Sequence, residues 1–223
     1  MTWENVELIK LAINFFCCMK ISFANFLAEM CEKTENANVN VVTDTLGLDS
    51  RINPKFLKAG LGYGGPCFPK DDRAFITLAA NLGMDTSFPS AVRNVNLHQI
   101  DRILKKIPPS ANVAVLGVTF KPGVDILWDS QAWEIVERLR ARGAGVSYYD
   151  PGIATGAKDL KEALEDAEVV LIATPWHEFK QLKAEDFPAG CTVIDCWRIF
   201  DRDAMRKHVK YIEIGRYPFP ASP

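Results

Sequence analysis

A cysteine lies in a stretch of the chain that is rich in glycine and proline. Residues 51–71 contain four glycines and three prolines, a composition that predicts irregular backbone. Within this stretch Cys67 lies between Pro66 and Pro69 and is followed closely by Lys70. A neighbouring cation favours the thiolate form of a cysteine, and a rigid, partly exposed loop would present that thiolate as a nucleophile. Two roles stay open for Cys67: a nucleophile, or a buried residue that packs as a small hydrophobe.

A second candidate pair is polar and lies near the N-terminus. Lys10 and Asn14 are four residues apart in apolar surroundings, so a helix would place them on one face. They could extend to solvent along the apolar surface. Alternatively they point into a site, where they would offer a positive charge and hydrogen bonds to a developing oxyanion.

The glycine stretch also contains a formal G-x-G-x-x-G at Gly60, Gly62 and Gly65. That fingerprint binds dinucleotides when a strand precedes it and the N-terminus of a helix follows it. Residues 55–58 do not resemble a strand, and the prolines in 66–69 argue against a helix start. We therefore interpret the stretch as flexible backbone that can approach a ligand closely, and not as a dinucleotide fingerprint.

The elements that must position these residues begin with a long helix. Residues 3–33 contain no proline or glycine, and their apolar residues recur at three- and four-residue steps. Such a helix would be roughly 45 Å long, more than a small domain needs, so we expect part of its apolar surface to mediate dimerisation. Further helices are predicted at 39–48, where Gly47 would end the helix, at 72–82 and at 89–107.

After Pro108 and Pro109 the pattern changes to alternating strands and helices. Strands are predicted at 113–118, 146–149, 168–174, 192–196 and 211–214, and helices at 131–141, 159–166 and 201–207. This alternation predicts a parallel sheet covered on both faces, with ligands at the carboxyl ends of its strands. The predicted fold is thus a helical domain over 1–107, followed by a Rossmann-like α/β domain over 108–223.

Composition excludes several classes of protein. The 223 residues carry a formal net charge of -2, which gives no global reason to bind nucleic acid or an anionic membrane. Six cysteines without C-x-x-C spacing indicate neither a disulfide scaffold nor a zinc site, and we predict no metal. The acidic N-terminus and the polar residues that interrupt residues 8–31 predict no export signal and no membrane span. We expect a cytoplasmic protein.

Several motifs together resemble one enzyme family. They are Lys-Leu-Ala-Ile-Asn-Phe-Phe at 10–16, Lys-Ile-Ser-Phe at 20–23, Arg-Ile-Asn-Pro-Lys-Phe-Leu at 51–57, Gly-Tyr-Gly-Gly-Pro-Cys-Phe-Pro-Lys-Asp at 62–71, Phe-Lys-Pro at 120–122 and Tyr-Asp-Pro at 149–151. In this order they resemble the UDP-glucose/GDP-mannose 6-dehydrogenase family over essentially the whole chain. The form of the cysteine motif is more similar to the UDP-glucose branch than to the branch acting on N-acetylated sugars.

The resemblance implies a catalytic chemistry. Family enzymes oxidise the sugar C6 alcohol twice with NAD, and the cysteine matching Cys67 captures the intermediate aldehyde and passes through a thioester. Lys10 and Asn14 match a pair that stabilises the oxyanions and holds the sugar. Asp71 matches a carboxylate that helps to position the hydrolytic water.

The resemblance also implies binding residues. Arg51 matches an arginine that reaches the sugar across a dimer interface, Lys121 one that binds substrate from the second domain, and Lys70 a residue that contacts NAD. The loop that surrounds the nucleotide sugar is matched by Phe56, Leu57, Lys58, Ala59, Gly60, Tyr63 and Gly64.

Departures from the family pattern concern the NAD side. None of these residues matches the family's N-terminal NAD-binding domain. The family's Arg-Glu-Ser is Trp-Asp-Ser at 128–130, and its Asp-Gly-Arg-Asn is Asp-Cys-Trp-Arg at 195–198. No side chain accepts a hydride. We predict a truncated or split 6-dehydrogenase that is inactive alone and needs a separate NAD-binding domain. The alternative is a non-catalytic UDP-sugar-binding or dimerising module.

Overall fold

The N-terminal part of the computed structural model, which describes residues 1–218, consists of four helices. Helix α1 packs against α3 and α4, and the part of it that carries Ala24, Ala28 and Cys31 packs against α2. The helices span Trp3–Lys33 (α1), Val39–Leu48 (α2), Phe68–Asn81 (α3) and Ser87–Leu104 (α4). Phe15, Cys18 and Val92 are buried together between α1 and α4. The predicted long helix is confirmed.

Helix α1 is long and apolar enough to cross a membrane by length and composition alone, a test that core helices of soluble proteins also pass. Two of its polar residues are buried and bonded to protein groups. Lys20 is buried and its Nζ donates to the carbonyls of Ile52 and Asn53 at 3.0 and 2.7 Å. Asn25 is also buried and accepts from the Gly60 amide at 2.9 Å. These bonds favour a helix that packs within a protein.

The C-terminal part is a five-stranded parallel sheet with helices between strands. The strand order is β2-β1-β3-β4-β5, so the chain crosses over between β2 and β3. The strands span Asn112–Leu116 (β1), Gly145–Tyr149 (β2), Val169–Ile172 (β3), Thr192–Asp195 (β4) and Lys210–Glu213 (β5); the helices span Gln131–Ala141 (α5), Leu160–Leu164 (α6) and Arg202–Met205 (α7). Apolar cores cover both faces of the sheet. The predicted fold class is confirmed.

Three local predictions were wrong. Gly47 does not end α2 but lies inside it, where a Cβ would press on Pro54. Helix α3 begins at Phe68, four residues before the predicted start, with Pro69 in its first turn. The missing N–H of a proline costs nothing there, because first-turn amides have no partner within the helix. Helix α4 ends at Leu104, three residues early.

Candidate functional site

Cys67 directly precedes the first residue of α3 and is exposed. The buried alternative for this cysteine is therefore wrong. The 14 residues of α3 direct their unpaired N-terminal amides and the positive end of the helix dipole toward this position. An exposed cysteine at the N-terminus of a helix is the arrangement found around many nucleophilic cysteines. Helix α3 also shows that one of our two reasons for rejecting the glycine fingerprint was wrong, because a helix does follow the fingerprint. No strand precedes it, so the rejection stands.

One helical turn further on, Asp71 joins Cys67 to helix α1. Its amide donates to the Cys67 carbonyl at 2.9 Å, and its buried carboxylate accepts from Lys10 Nζ and, at 2.5 Å, from Asn14 Nδ2. Burial opposes ionisation of this carboxyl, but the hydrogen bonds from Lys10 and Asn14 outweigh it and hold the pKa of Asp71 below its ordinary value. Lys10 and Asn14 thus point into a site, and three predicted catalytic residues lie together.

The loop before Cys67 is fixed to the helices by a second buried carboxylate. We call residues 56–67 the glycine loop. The Tyr63 hydroxyl donates to Asp72, which has no exposed surface and accepts from Arg93 Nη1 at 2.7 Å. Burial, with the hydrogen bond to Asp72, raises the pKa of Tyr63 far above its ordinary value. Tyr63 therefore stays protonated and serves as a donor that anchors the loop.

Helix α4 holds the backbone of the same loop through buried amide side chains. Asn96 Oδ1 accepts from the Tyr63 amide at 2.8 Å, and its Nδ2 donates to the Tyr63 carbonyl at 3.1 Å. Gln99 Nε2 donates to the Gly60 carbonyl at 2.6 Å. Arg93, Asn96 and Gln99 follow one another at three-residue steps. Sequence reasoning missed this polar stripe, which could have been found from its helical spacing.

The other side of the glycine loop contacts the α/β part. The Gly62 amide donates to Gln131 Oε1 at 2.5 Å, and the Gly65 amide donates to the Asp129 carbonyl at 3.1 Å. Arg198 Nη2 donates to the Ala59 carbonyl at 2.6 Å. The loop therefore lies between the two parts, and its position depends on both.

Glycine is required where the loop meets these partners. A Cβ on Gly60 would overlap the Trp197 ring, and one on Gly64 would overlap the Asp129 carbonyl oxygen. Trp197 and Arg198, which replace the family's Arg-Asn pair, thus contact the loop itself. Neither contact could be predicted from the sequence, because the two segments are far apart in the chain.

The predicted binding residues of the loop differ in whether their side chains are exposed to a ligand. The side chains of Leu57 and Ala59 are buried in a cluster with α1 and α2, so only their backbone could contact a ligand. Phe56 is half exposed with φ 61°, and Lys58 pairs with Asp44. A direct side-chain role for Leu57 and Ala59 is excluded by this burial.

The predicted cations lie in different places. Arg51 is exposed, and its Nη2 lies 2.6 Å from Asp49 Oδ2. Lys121 is exposed, with Nζ 5.4 Å from the centre of the Phe120 ring. That ring lies where a Cβ on Gly65 would be, so Lys121 borders the glycine loop two residues from Cys67. Lys70 Nζ is exposed, 3.9 Å from Asp71 Oδ1.

At the carboxyl ends of β1 and β2 the backbone is organised by a buried aspartate. Asp150 Oδ2 accepts from the amides of Val118 and Thr119 at 2.6 and 2.9 Å and from Trp176 Nε1 at 3.2 Å. It fixes the loop that carries Lys121. Sequence reasoning noted Asp150 within its motif but gave it no role.

A nicotinamide dinucleotide does not fit the described residues as a whole. Such a cofactor needs a strand, a tight glycine turn and an immediate helix start to hold its pyrophosphate. In residues 1–218 the glycine loop has no strand before it, and the turn after β1 at Gly117 leads to α5 only at Gln131. The exposed Trp128 stands where the family has an arginine. Within residues 1–218, Lys70 remains a candidate contact for NAD, but no loop of the kind that binds a pyrophosphate is present.

Comparison with known protein families shows to which family a chain with this fold and site belongs. Residues 4–98 match the central domain of the UDP-glucose/GDP-mannose dehydrogenase family, and residues 114–202 match its UDP binding domain. The chain belongs to the UDP-glucose/GDP-mannose dehydrogenase family.

Individual relatives agree with this assignment. The chain is 37% identical to a UDP-glucose 6-dehydrogenase of Rhizobium meliloti (strain 1021), over 96% of this chain and 54% of the relative. It is 36% identical to the UDP-glucose 6-dehydrogenase TuaD of Bacillus subtilis (strain 168), over 96% and 50%. The solved structure of a UDP-glucose dehydrogenase from Pyrobaculum islandicum superposes with a TM-score of 0.87 at 31% identity, over 98% of this chain and 52% of that one. The chain thus spans about half the length of the relatives it matches.

Proposed function

We propose that these residues form the sugar-nucleotide half of a UDP-glucose-type 6-dehydrogenase, which converts the sugar C6 alcohol to a carboxylate. The observation that carries the proposal is the network of Lys10, Asn14 and Asp71 one helical turn from an exposed Cys67. A cation and an amide donor beside a thiol suit the chemistry of an aldehyde. The match to a UDP binding domain supports the substrate class.

In the proposed reaction Cys67 acts on the C6 aldehyde. The thiolate sulfur bonds to the aldehyde carbon, the C=O π bond breaks, and its electron pair moves to the oxygen, which takes a proton to give a thiohemiacetal. Lys10 and Asn14 would stabilise the negative oxygen before it is protonated. The thiohemiacetal would become a thioester when C6 gives up a hydride, to the acceptor that NAD would supply, and the C6 hydroxyl gives up its proton. Water then adds to the thioester carbonyl carbon, and the C–S bond breaks with its electron pair on sulfur, which takes a proton. This releases the carboxylate and restores the thiol. Asp71 would position that water.

The aldehyde step can be tested without NAD. The C6 aldehyde of UDP-glucose should protect Cys67 from alkylation by iodoacetamide, whereas UDP-glucose, which lacks an aldehyde, cannot form the covalent adduct. Native mass spectrometry of the intact chain should detect the thiohemiacetal adduct, and the variant Cys67→Ser should not form it. The control is Cys191, whose alkylation the aldehyde should not change. Equal protection by the aldehyde and by UDP-glucose, with no adduct on Cys67, would refute the covalent role.

NAD, when bound, would supply the acceptor for the hydrides that leave C6. We propose that its binding domain is supplied outside these residues. The 223-residue polypeptide alone should therefore produce no NADH from UDP-glucose and NAD, as measured by absorbance. Stoichiometric NADH formation by this polypeptide would show that the described residues hold NAD after all.

A homodimer through α1 is part of the proposal. Apolar side chains that are 44–59% exposed follow one another along this helix, and a monomer would leave them in water. They are Val6, Leu8, Ile9, Ile13, Phe16, Phe23, Phe26 and Met30. The same face supports the second candidate function, a non-catalytic module that pairs with relatives. The proposed location is the cytoplasm.

A further inference from the structure

A basic cleft lies on the molecule where the ends of α1 and α4 meet the last strand. It encloses about 890 Å³, within the size range of small-molecule sites, and none of its lining residues belongs to the Cys67 site. Eight of its lining residues are lysines or arginines and three are glutamates, a formal charge of 8 − 3 = +5. The whole chain carries -2. The cleft therefore concentrates positive charge on an otherwise near-neutral protein.

The glutamates of the cleft neutralise only part of its positive charge. Glu29, Glu32 and Glu213 each lie 2.7–2.9 Å from a lysine or arginine and are thus already engaged. Within residues 1–218, no carboxylate lies within ion-pair distance of Lys105 or Lys210. Both lysines are exposed and available to an anion.

A buried arginine lines the same cleft. The Arg102 side chain is only 9% exposed, and its Nη2 lies 2.9 Å from Glu32 Oε1. That nitrogen nevertheless forms no hydrogen bond of normal geometry among the described residues. Ion pairs with Glu29 and Glu32 hold Arg102 in place, so its fixed positive charge, and not this buried nitrogen, contributes to the cleft.

Helix dipoles do not explain the cluster. The negative ends of α1 and α4 favour Lys33 and Lys105. However, Lys210 and Arg216 come from β5 and the segment after it, where no helix ends. The wall beside them contains Val209 and Ile212, which can contact the organic part of a ligand.

We propose that this cleft binds an organic phosphate with several negative charges, of the size of a nucleoside triphosphate. Lys105 and Lys210 would contact the phosphates, the buried charge of Arg102 would add to the attraction, and the apolar wall would contact the base or sugar. The inference does not depend on the proposed 6-dehydrogenase activity.

Calorimetric titration of the full 223-residue chain with ATP tests the proposal. The double variant Lys105→Ala/Lys210→Ala should weaken binding about tenfold or more, since hydrogen bonds between charged groups are lost. The matched control Lys158→Ala/Lys161→Ala removes the same charge from another exposed surface and should leave the affinity unchanged. Circular dichroism melting checks that both variants fold, and the single variant Lys210→Gln provides a milder second test. Absence of ATP binding at millimolar concentration, or equal weakening by both double variants, would overturn the proposal.

Discussion

Iodoacetamide at neutral pH should modify Cys67 before any other cysteine of the chain. Cys67 is exposed at the start of α3, whereas Cys18, Cys31, Cys191 and Cys196 are buried. Burial raises the pKa of Cys191 to about 11, so only about one molecule in 10⁴ carries that thiolate at pH 7. We therefore expect one rapid alkylation and four slower by several orders of magnitude.

Cys17 is the internal control for this experiment. It is partly exposed on α1, and partial burial raises its pKa above the ordinary value, so it should react second. Peptide mapping after short exposure measures both rates. In the variant Cys67→Ser the rapid phase should disappear. A rapid phase that persists in this variant, or equal rates at Cys17 and Cys67, would contradict the nucleophile role.

The variant Gly64→Ala should displace the glycine loop from the α/β part. A Cβ at this position would overlap the Asp129 carbonyl oxygen, and a backbone atom cannot move aside as a flexible side chain can. The next amide, on Gly65, donates to the same oxygen, so the clash should also break that bond. We expect a loss of about 2 kcal/mol in the free energy of unfolding, as for other overpacked sites.

Urea denaturation measures this loss, and limited proteolysis of residues 56–67 reports loop displacement. The matched control is Gly83→Ala, at a glycine with φ 71° and open space around it. This control should lower the free energy of unfolding by about 1 kcal/mol through backbone strain alone. The glycine loop should stay protected from proteolysis. If Gly64→Ala is no more susceptible to proteolysis than Gly83→Ala, the loop is not held by its contact with Asp129.

Most of the fold could be predicted because it depends on local patterns. The bounds of α5 were correct at Gln131 and Ala141, where Ser130 caps one end and Gly143 with φ 82° follows the other. The strands of the parallel sheet are short apolar runs that periodicity detects. The start of α3 was missed, because Pro66 and Pro69 resemble breakers, although a proline fits the first turn of a helix.

The site was predicted less completely, since it depends on contacts between distant segments. Lys10 and Asn14 could be placed on one face from their spacing, but that face did not reveal Asp71 as their partner. Gln131 and Arg198 hold the glycine loop from residues far along the chain. Only the folded arrangement brings such partners together, so no local pattern could identify them.

Calorimetric titration with UDP-glucose tests the central claim most directly, namely that these residues hold a sugar-nucleotide site. We expect saturable binding by the 223-residue chain. The variant Lys121→Ala should weaken it about tenfold, because a charged hydrogen bond to the substrate is lost, while the exposed control Lys161→Ala should not. No detectable binding by the folded wild-type chain would contradict this claim and favour a purely structural, dimerising module.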